Sequence, residues 1–323
     1  MQLNFIGNSE TDAHRLRTLF GRVDKTFLTQ GCFSLSQLKR GVDLTYNTEA
    51  IFFGWGCRGL TPEELSAAFP CLKAAFYLGG DTGPYEPAFT AIGVPLFSCL
   101  TENSRSTAEF AFAQIILANK GYYRATRSYI PWMWPLNFRY AKAKANLAYG
   151  NFGATVGIVG FGNVGRLVIT QLRRFDLALL VHDPFVEDIE IERAGATAAT
   201  LQCLVESSDV VSLHLPIRET ASPLLDHANI AKLKKQSTLI NTSRGHHISE
   251  DAIANIASQR PDLTFVLDVT RREPLPFWSP LWRRKNVFLS PHIAGVSDQE
   301  LPRLVIYLSE IDERWSAELT AKL

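Results

Sequence analysis

Short apolar runs alternate with segments of helical spacing along almost the whole chain. LNFIG from Leu3, AIFFGW from Ala50, LKAAFYLGG from Leu72 and GVPLFS from Gly93 read as strands, each a brief run of apolar and aromatic residues bounded by turn formers. Helical stretches lie between them. One spans Thr11 to Phe20, and another is announced at Thr61, where a hydroxyl N-cap residue precedes Pro62, Glu63 and Glu64 in the first turn. Alternation of this kind argues for a parallel sheet covered by helices, so residues 1 to about 98 read as one small α/β unit. A new helix is expected from Ser106 to Ala118, with Thr107 and Glu109 at its acidic start. The apolar segment SYIPWMWPLNFRY follows, and it either packs on its own fold or covers another subunit. From residue 150 to about 296 strands and helices alternate again, and Gln299 to Leu323 reads as a last helix that crosses back to the first unit.

A length of 323 residues favours two domains, and 46% apolar, 20% charged and 11% aromatic residues are the composition of an ordinary globular protein. Thirty-three basic against thirty-two acidic side chains leave a net charge of +1, so no global field draws the chain to nucleic acid or to an anionic membrane surface. Five cysteines without CxxC spacing indicate neither a disulfide framework nor a zinc site and read as apolar thiols in a reducing compartment. The N-terminus lacks a basic region followed by a long apolar one, and no run approaches the roughly 18 apolar residues of a membrane span. A cytoplasmic protein with no membrane partner is the expectation.

The strongest local signal is TVGIVGFGNVG at residues 155–165, an apolar strand running into Gly160, Gly162 and Gly165. In such a turn the first glycine allows the tight bend, the second lets backbone approach a pyrophosphate, and the third lets the following helix pack close to the strand. Amides at the start of that helix, near Asn163 and Val164, would face the phosphates. A second strand, LALLVHD, ends in Asp183, eighteen residues after Gly165. A carboxylate there holds the adenosine ribose hydroxyls and repels a 2′-phosphate, which favours NAD over NADP. The alternative reading is that Asp183 starts an Asp-Pro turn.

Three downstream segments carry reactive side chains: INTSRG at 240–245, LDVTRREPLP at 267–276 and LSPHIAG at 289–295. With the glycine motif, SDVVSLHLP at 208–216 and RSTAEF at 105–110, they make the chain resemble the D-isomer-specific 2-hydroxy acid dehydrogenases over nearly its whole length. The resemblance implies two Rossmann-like or flavodoxin-like doubly wound parallel-sheet domains with the active site in the cleft between them. It puts a discontinuous substrate domain at 1–98 plus 297–323, an NAD-binding domain at 99–296, and a homodimer contact at about 104–140.

The resemblance also assigns roles. Arg244 grips the carboxylate and carbonyl oxygen of a small 2-hydroxy or 2-oxo acid, a task suited to a planar, always charged guanidinium. Glu273 and His292 form an acid/base pair, since imidazole as a type titrates near working pH and a neighbouring carboxylate favours its protonated form. His214, Pro216, Thr242 and Asp268 line the cofactor, Asp268 facing the nicotinamide carboxamide. Gly79, Gly80 and Asp81 offer backbone amides to the substrate carboxylate, although the usual spacing of glycine and aspartate is disturbed here.

Arg271 and Arg272, directly before Glu273, are a second departure: they are either solvated or attract a second anionic group on the substrate. His246 and His247 lack a third ligand at recognisable spacing, so no metal is expected. Trp55, Trp132, Trp134 and Trp278 are candidates for pocket walls, with core or interface packing as the default. Two rivals stay open: an NADH-sensing binding protein like the corepressors of this fold, and a dehydrogenase of formate or phosphite. Glu273 counts against formate, whose enzymes carry glutamine there.

Overall fold

The alternation resolves into two sheets in a computed structural model that describes residues 3–25, 27, 30–39, 47–54, 57, 61–131, 134–216, 223–297 and 300–321. The chain divides into one unit of residues 1–104 with 296–323 and another of residues 105–295. Every strand pairing among the described residues is parallel.

In the first unit the strands are β1 (Leu3–Gly7), β2 (Gly31–Ser34), β3 (Ala50–Phe53), β4 (Ala74–Tyr77) and β5 (Leu96–Ser98), in the order β2-β1-β3-β4-β5. That is the flavodoxin-like order. β1, β3 and β4 are buried along their whole length, so their side chains alternate between two cores. Phe5, Phe52 and Phe76 meet Phe20 of the helix Glu10–Gly21 on one face, with the Phe52 and Phe76 rings stacked at 4.7 Å. Ile6, Ile51, Phe53 and Tyr77 meet Leu65 and Phe89 on the other. Two helices start with full capping boxes, Ser9 with Asp12 and Thr61 with Glu64, which satisfy amides that otherwise lack partners. The last helix, Leu301–Ala321, sends Leu304, Val305 and Leu308 into the phenylalanine core, where the Cys99 thiol donates to the Leu304 carbonyl.

The second unit has β6 (Phe152–Val159), β7 (Asp176–His182), β8 (Thr197–Ala198), β9 (Val210–Leu213), β10 (Thr238–Asn241), β11 (Thr264–Leu267) and β12 (Val287–Leu289), in the order β12-β11-β10-β9-β6-β7-β8. Counted from β6, this is the doubly wound order of dinucleotide-binding sheets, with β6 at the switch point. Leu213, Leu239 and Phe265 face one core and Val181, Ile240 and Val266 the other. Each such side chain stabilises the fold by about 1.5–3 kcal/mol, and a slip by one residue would turn every one of them to the wrong face. Register at the strand ends, where the chemistry sits, is thereby pinned from inside the sheet.

The helix expected from Ser106 runs instead over Leu100–Asn119. Thr101, Ser104, Ser106 and Thr107 disguise its first turns as a loop, but the Ser104 hydroxyl donates back to the Leu100 carbonyl at 2.6 Å, as serine does within helices. In the aromatic segment the helices Tyr122–Ser128 and Asn137–Ala145 leave Tyr129, Trp134, Leu136, Phe138 and Tyr140 exposed, Trp134 by 78%. Packing within its own unit leaves this apolar surface open. Trp55 and Trp132 lie outside the described residues.

Candidate active site

The predicted residues of the second unit come together at one edge of its sheet, where the strands end. His292 follows β12, Asp268 and Glu273 follow β11, Thr242 and Arg244 follow β10, His214 and Pro216 follow β9, Gly160 follows β6 and Asp183 follows β7. Strand order lays these out side by side in that sequence. At roughly 4.8 Å per strand the row is about 24 Å long, and ligands of such sheets bind at this edge, at the switch point.

The glycine loop has the form its motif requires. Gly160 adopts φ +97°, and a Cβ there would stand 2.5 Å from the His214 carbonyl oxygen, so only glycine fits. A Cβ on Gly165 would stand 2.2 Å from the Gly160 carbonyl oxygen, which is how closely the helix Asn163–Leu172 approaches the turn. Gly162 faces open space, and no side chain caps the amides at the helix start, including Asn163 and Val164. Open space above uncapped amides at the positive end of a helix suits a pyrophosphate.

Asp183 is half-buried and directed into this loop: Oδ2 accepts from the Phe161 amide at 2.7 Å and Oδ1 from the Phe185 amide at 3.0 Å. The side chain thus forms the Asp-Pro turn and places a carboxylate beside the glycines. His214 is buried, and burial pushes its imidazole down to about 3, so the ring is neutral. Neither of its nitrogens nor the Thr242 hydroxyl, also buried, has a partner among the described residues. Buried polar atoms without partners are costly, and a polar ligand along the strand ends would supply the missing bonds. The residues present fit a dinucleotide. Pro216 is exposed, and its carbonyl accepts from Nε2 of buried His247 at 3.1 Å. Burial and the adjacent His246 and Arg244 push His247 down to about 4.

The catalytic candidates sit on three loops that brace one another. His292 Nδ1 and Glu273 Oε2 are 2.7 Å apart, and both side chains are partly exposed. His292 has φ +54°, a left-handed conformation that costs a histidine about 1 kcal/mol or more. Asp268 holds it there. This residue is 2% exposed, and its carboxylate accepts from the Ser290 hydroxyl (2.5 Å), the Ile293 amide (3.0 Å) and the Ala294 amide (2.8 Å), while its carbonyl accepts from the His292 amide at 2.8 Å. Asp268 is thus occupied in shaping the histidine loop.

Arg244 is half-buried on a turn organised by Asn241, whose Oδ1 accepts from the Ser243 amide and hydroxyl and whose Nδ2 donates to the Arg244 carbonyl at 2.9 Å. A Cβ on Gly245 would lie 2.0 Å from the Thr270 carbonyl carbon and 2.3 Å from the Arg271 nitrogen, so the Arg244 turn abuts the Glu273 loop backbone to backbone. Asn241, Gly245 and Ser290 were not singled out by sequence reasoning. The signals were present in the Asn-Thr-Ser-Arg-Gly run and in a serine set before Pro291, as turn chemistry.

In the first unit Gly79, Gly80 and Asp81 follow β4. The Gly79 amide donates to the Tyr77 carbonyl at 2.9 Å and is spent within the turn. The Gly80 and Asp81 amides have no acceptor among the described residues, and Asp81 Oδ1 accepts from the Gly83 amide at 3.2 Å. Trp278 is 66% exposed, so it does not pack in the core of its unit. Among the described residues no three His, Cys, Asp or Glu side chains cluster as metal ligands, and no helix is long and apolar enough to cross a membrane.

Residues 113–294 match the family model of the D-isomer-specific 2-hydroxyacid dehydrogenase NAD-binding domain. The chain belongs to this family. It is 32% identical to the (S)-sulfolactate dehydrogenase of Chromohalobacter salexigens over 243 residues, 75% of this chain and 76% of that protein. It is 31% identical to a glyoxylate reductase of Korarchaeum cryptofilum over 250 residues, 76% and 74% of the two chains. In fold it is similar to holo D-mandelate dehydrogenase from Rhodotorula graminis, at TM-score 0.77 and 22% identity over 97% of this chain and 94% of that one. It is therefore an NAD-dependent oxidoreductase of the 2-hydroxyacid class, and the glycine loop lies in its NAD-binding domain.

Proposed function

We propose that this dehydrogenase interconverts a small D-2-hydroxy acid and its 2-oxo acid, with His292 and Glu273 as the acid/base pair and Arg244 on the substrate carboxylate and carbonyl. The observation that carries this is the 2.7 Å contact between His292 Nδ1 and Glu273 Oε2, on a loop that Asp268 fixes. Because the carboxylate takes Nδ1, the proton that moves to or from substrate oxygen sits at Nε2. Glu273 stabilises the imidazolium and keeps the ring turned outward. The Arg244 guanidinium neutralises the carboxylate and the charge that develops on the carbonyl oxygen. NADH, when bound, supplies the hydride. Asp183 favours NAD over NADP by repelling a 2′-phosphate, and His214, Thr242 and the amides of Asn163 and Val164 offer the cofactor its polar contacts.

In the first unit the amides of Gly80 and Asp81, which have no acceptor among the described residues, are offered as the substrate-carboxylate donors. We further assign residues 1–98 with 297–323 to substrate and 99–296 to cofactor. The exposed aromatics between Tyr129 and Tyr140 are assigned to a homodimer contact. Sedimentation should show a dimer that Phe138→Ser with Trp134→Ser dissociates; a wild-type monomer at micromolar concentration would refute the contact. The five free thiols suit a reducing, cytoplasmic compartment.

The decisive assay is NADH oxidation with glyoxylate, hydroxypyruvate, pyruvate and phenylpyruvate, comparing wild type with His292→Ala and Arg244→Ala. Turnover that drops about 10²-fold or more in His292→Ala with NADH affinity unchanged is expected. Tight NADH binding without reduction of any 2-oxo acid would replace the reading with a sensing role.

A further inference from the structure

The loop that presents Glu273 also presents two arginines, and its geometry is rigidly determined. The Thr270 amide donates to Glu273 Oε1 at 3.3 Å and the Thr270 hydroxyl to the Arg272 carbonyl at 2.8 Å. On the other side the Arg271 amide donates to Glu250 Oε1 at the start of the helix Glu250–Gln259, and Gly245 presses on the backbone of Thr270 and Arg271. The backbone of Arg271 is thereby held against the turn of Arg244, and Arg272 is next in the chain to Glu273, the partner of His292.

Both arginines are exposed, and neither has an ion pair among the described residues. Elsewhere in the same unit Arg166 pairs with Glu190 and Arg260 with Asp262, while Arg124 and Arg127 donate to the carbonyls of Gln236 and Pro261. The two carboxylates nearest in the loop network are already engaged, Glu273 with His292 and Glu250 with the Arg271 amide. Two adjacent cations on a braced turn, beside a third at Arg244, repel one another and create a local positive field that a single substrate carboxylate at Arg244 leaves in place.

We propose that Arg271 and Arg272 form a second anion subsite, so that the favoured substrates are 2-oxo and 2-hydroxy acids bearing a further carboxylate, sulfonate or phosphate on the side chain. The inference rests on the proposed reaction. Its contribution is greatest as the substrate approaches, and it weakens with salt because the guanidinium groups are solvated.

The test compares kcat/KM for oxaloacetate, 3-sulfopyruvate and phosphohydroxypyruvate with that for 2-oxobutyrate and hydroxypyruvate, in wild type and in Arg271→Gln with Arg272→Gln. At about 20 mM salt we expect at least one multiply charged substrate to be preferred by about tenfold or more, the preference falling below about threefold in the double variant and at about 0.5 M salt. Rates with 2-oxobutyrate should stay within about twofold, which reports an intact fold. The three multiply charged substrates separate carboxylate, sulfonate and phosphate as the group recognised. Equal rates for multiply charged and singly charged substrates, or a preference that survives both substitutions, overturn the subsite while leaving the reaction intact. Should the double variant fail to fold, the salt dependence of the wild-type preference decides in the same way. Turnover of no 2-oxo acid overturns the reaction and the subsite together.

Discussion

Asp268→Asn separates two roles for one buried carboxylate. Its two oxygens accept from the Ser290 hydroxyl and the Ile293 amide on one side and from the Ala294 amide on the other. An asparagine has one carbonyl oxygen, so turning it toward Ser290 and Ile293 sets its NH2 against the Ala294 N–H. That loses one charge-assisted bond, about 1.5–3 kcal/mol, and leaves a buried amide unsatisfied for about 1–3 kcal/mol more. Removing a buried charge offsets part of this, and a net loss of about 2–3 kcal/mol is expected. The histidine loop, already bearing the cost of a left-handed His292, is where the loss falls. Urea unfolding followed by tryptophan fluorescence measures the first effect. Steady-state kinetics on the best 2-oxo acid measures the second, where about 10²-fold in kcat is expected as Nε2 loses its position. A variant within about 0.5 kcal/mol of wild type, affected only in NADH affinity, would show that Asp268 serves the cofactor alone and would refute the loop argument.

Gly245→Ala would place a Cβ 2.0 Å from backbone, against about 3.4 Å for ordinary contact, so the Arg244 and Glu273 loops must part by more than about 1 Å. Stability should fall by about 1–3 kcal/mol and kcat/KM by about 10²-fold, with a crystal structure showing the separation; unchanged kinetics would contradict it. Asp312 is buried at 8% exposure, and desolvation with the neighbouring Glu313 raises its carboxyl from 3.8 to about 6. A raised acid is neutral in the fold and ionised in the unfolded chain between those values. Stability is therefore intact below about pH 4, declines as pH rises through 6, and stays lower above it. Asp312→Asn should gain about 2 kcal/mol at pH 7.5 and almost nothing at pH 4 in urea unfolding; an equal gain at both would refute the assignment.

Much of the fold was legible in strand and helix periodicity. The short apolar and aromatic runs of β3 and β4, bounded by turn formers, read as strands buried on both faces, and the glycine spacing after β6 marks a tight strand-to-helix turn. The start of the helix Leu100–Asn119 was hidden because hydroxyl residues that favour caps also survive inside a helix by bonding back to the preceding turn. In the site, the type and order of Arg244, Glu273 and His292 were visible. What braces them was only partly visible: Asn241 acts within its own Asn-Thr-Ser-Arg-Gly turn, but Ser290 acts through a contact to Asp268, 22 residues away, and Gly245 through the space a missing Cβ leaves. The Gly79 amide likewise turned out to be spent on Tyr77, a bond that residue identity alone does not reveal.

The strand-end row has a further consequence for how the protein can change. Asp183, at one end, and His292, at the other, are carried by β7 and β12, five strand steps apart and separated by rigid, fully buried β9 and β10. Groups that far apart with no shared partner contribute to free energy almost independently. On the roles proposed for Asp183 and His292, cofactor choice and proton transfer are separable traits on one scaffold. Substitutions that retune Asp183 for a different dinucleotide should leave the effect of any His292-loop substitution on turnover unaltered to within about 0.5 kcal/mol.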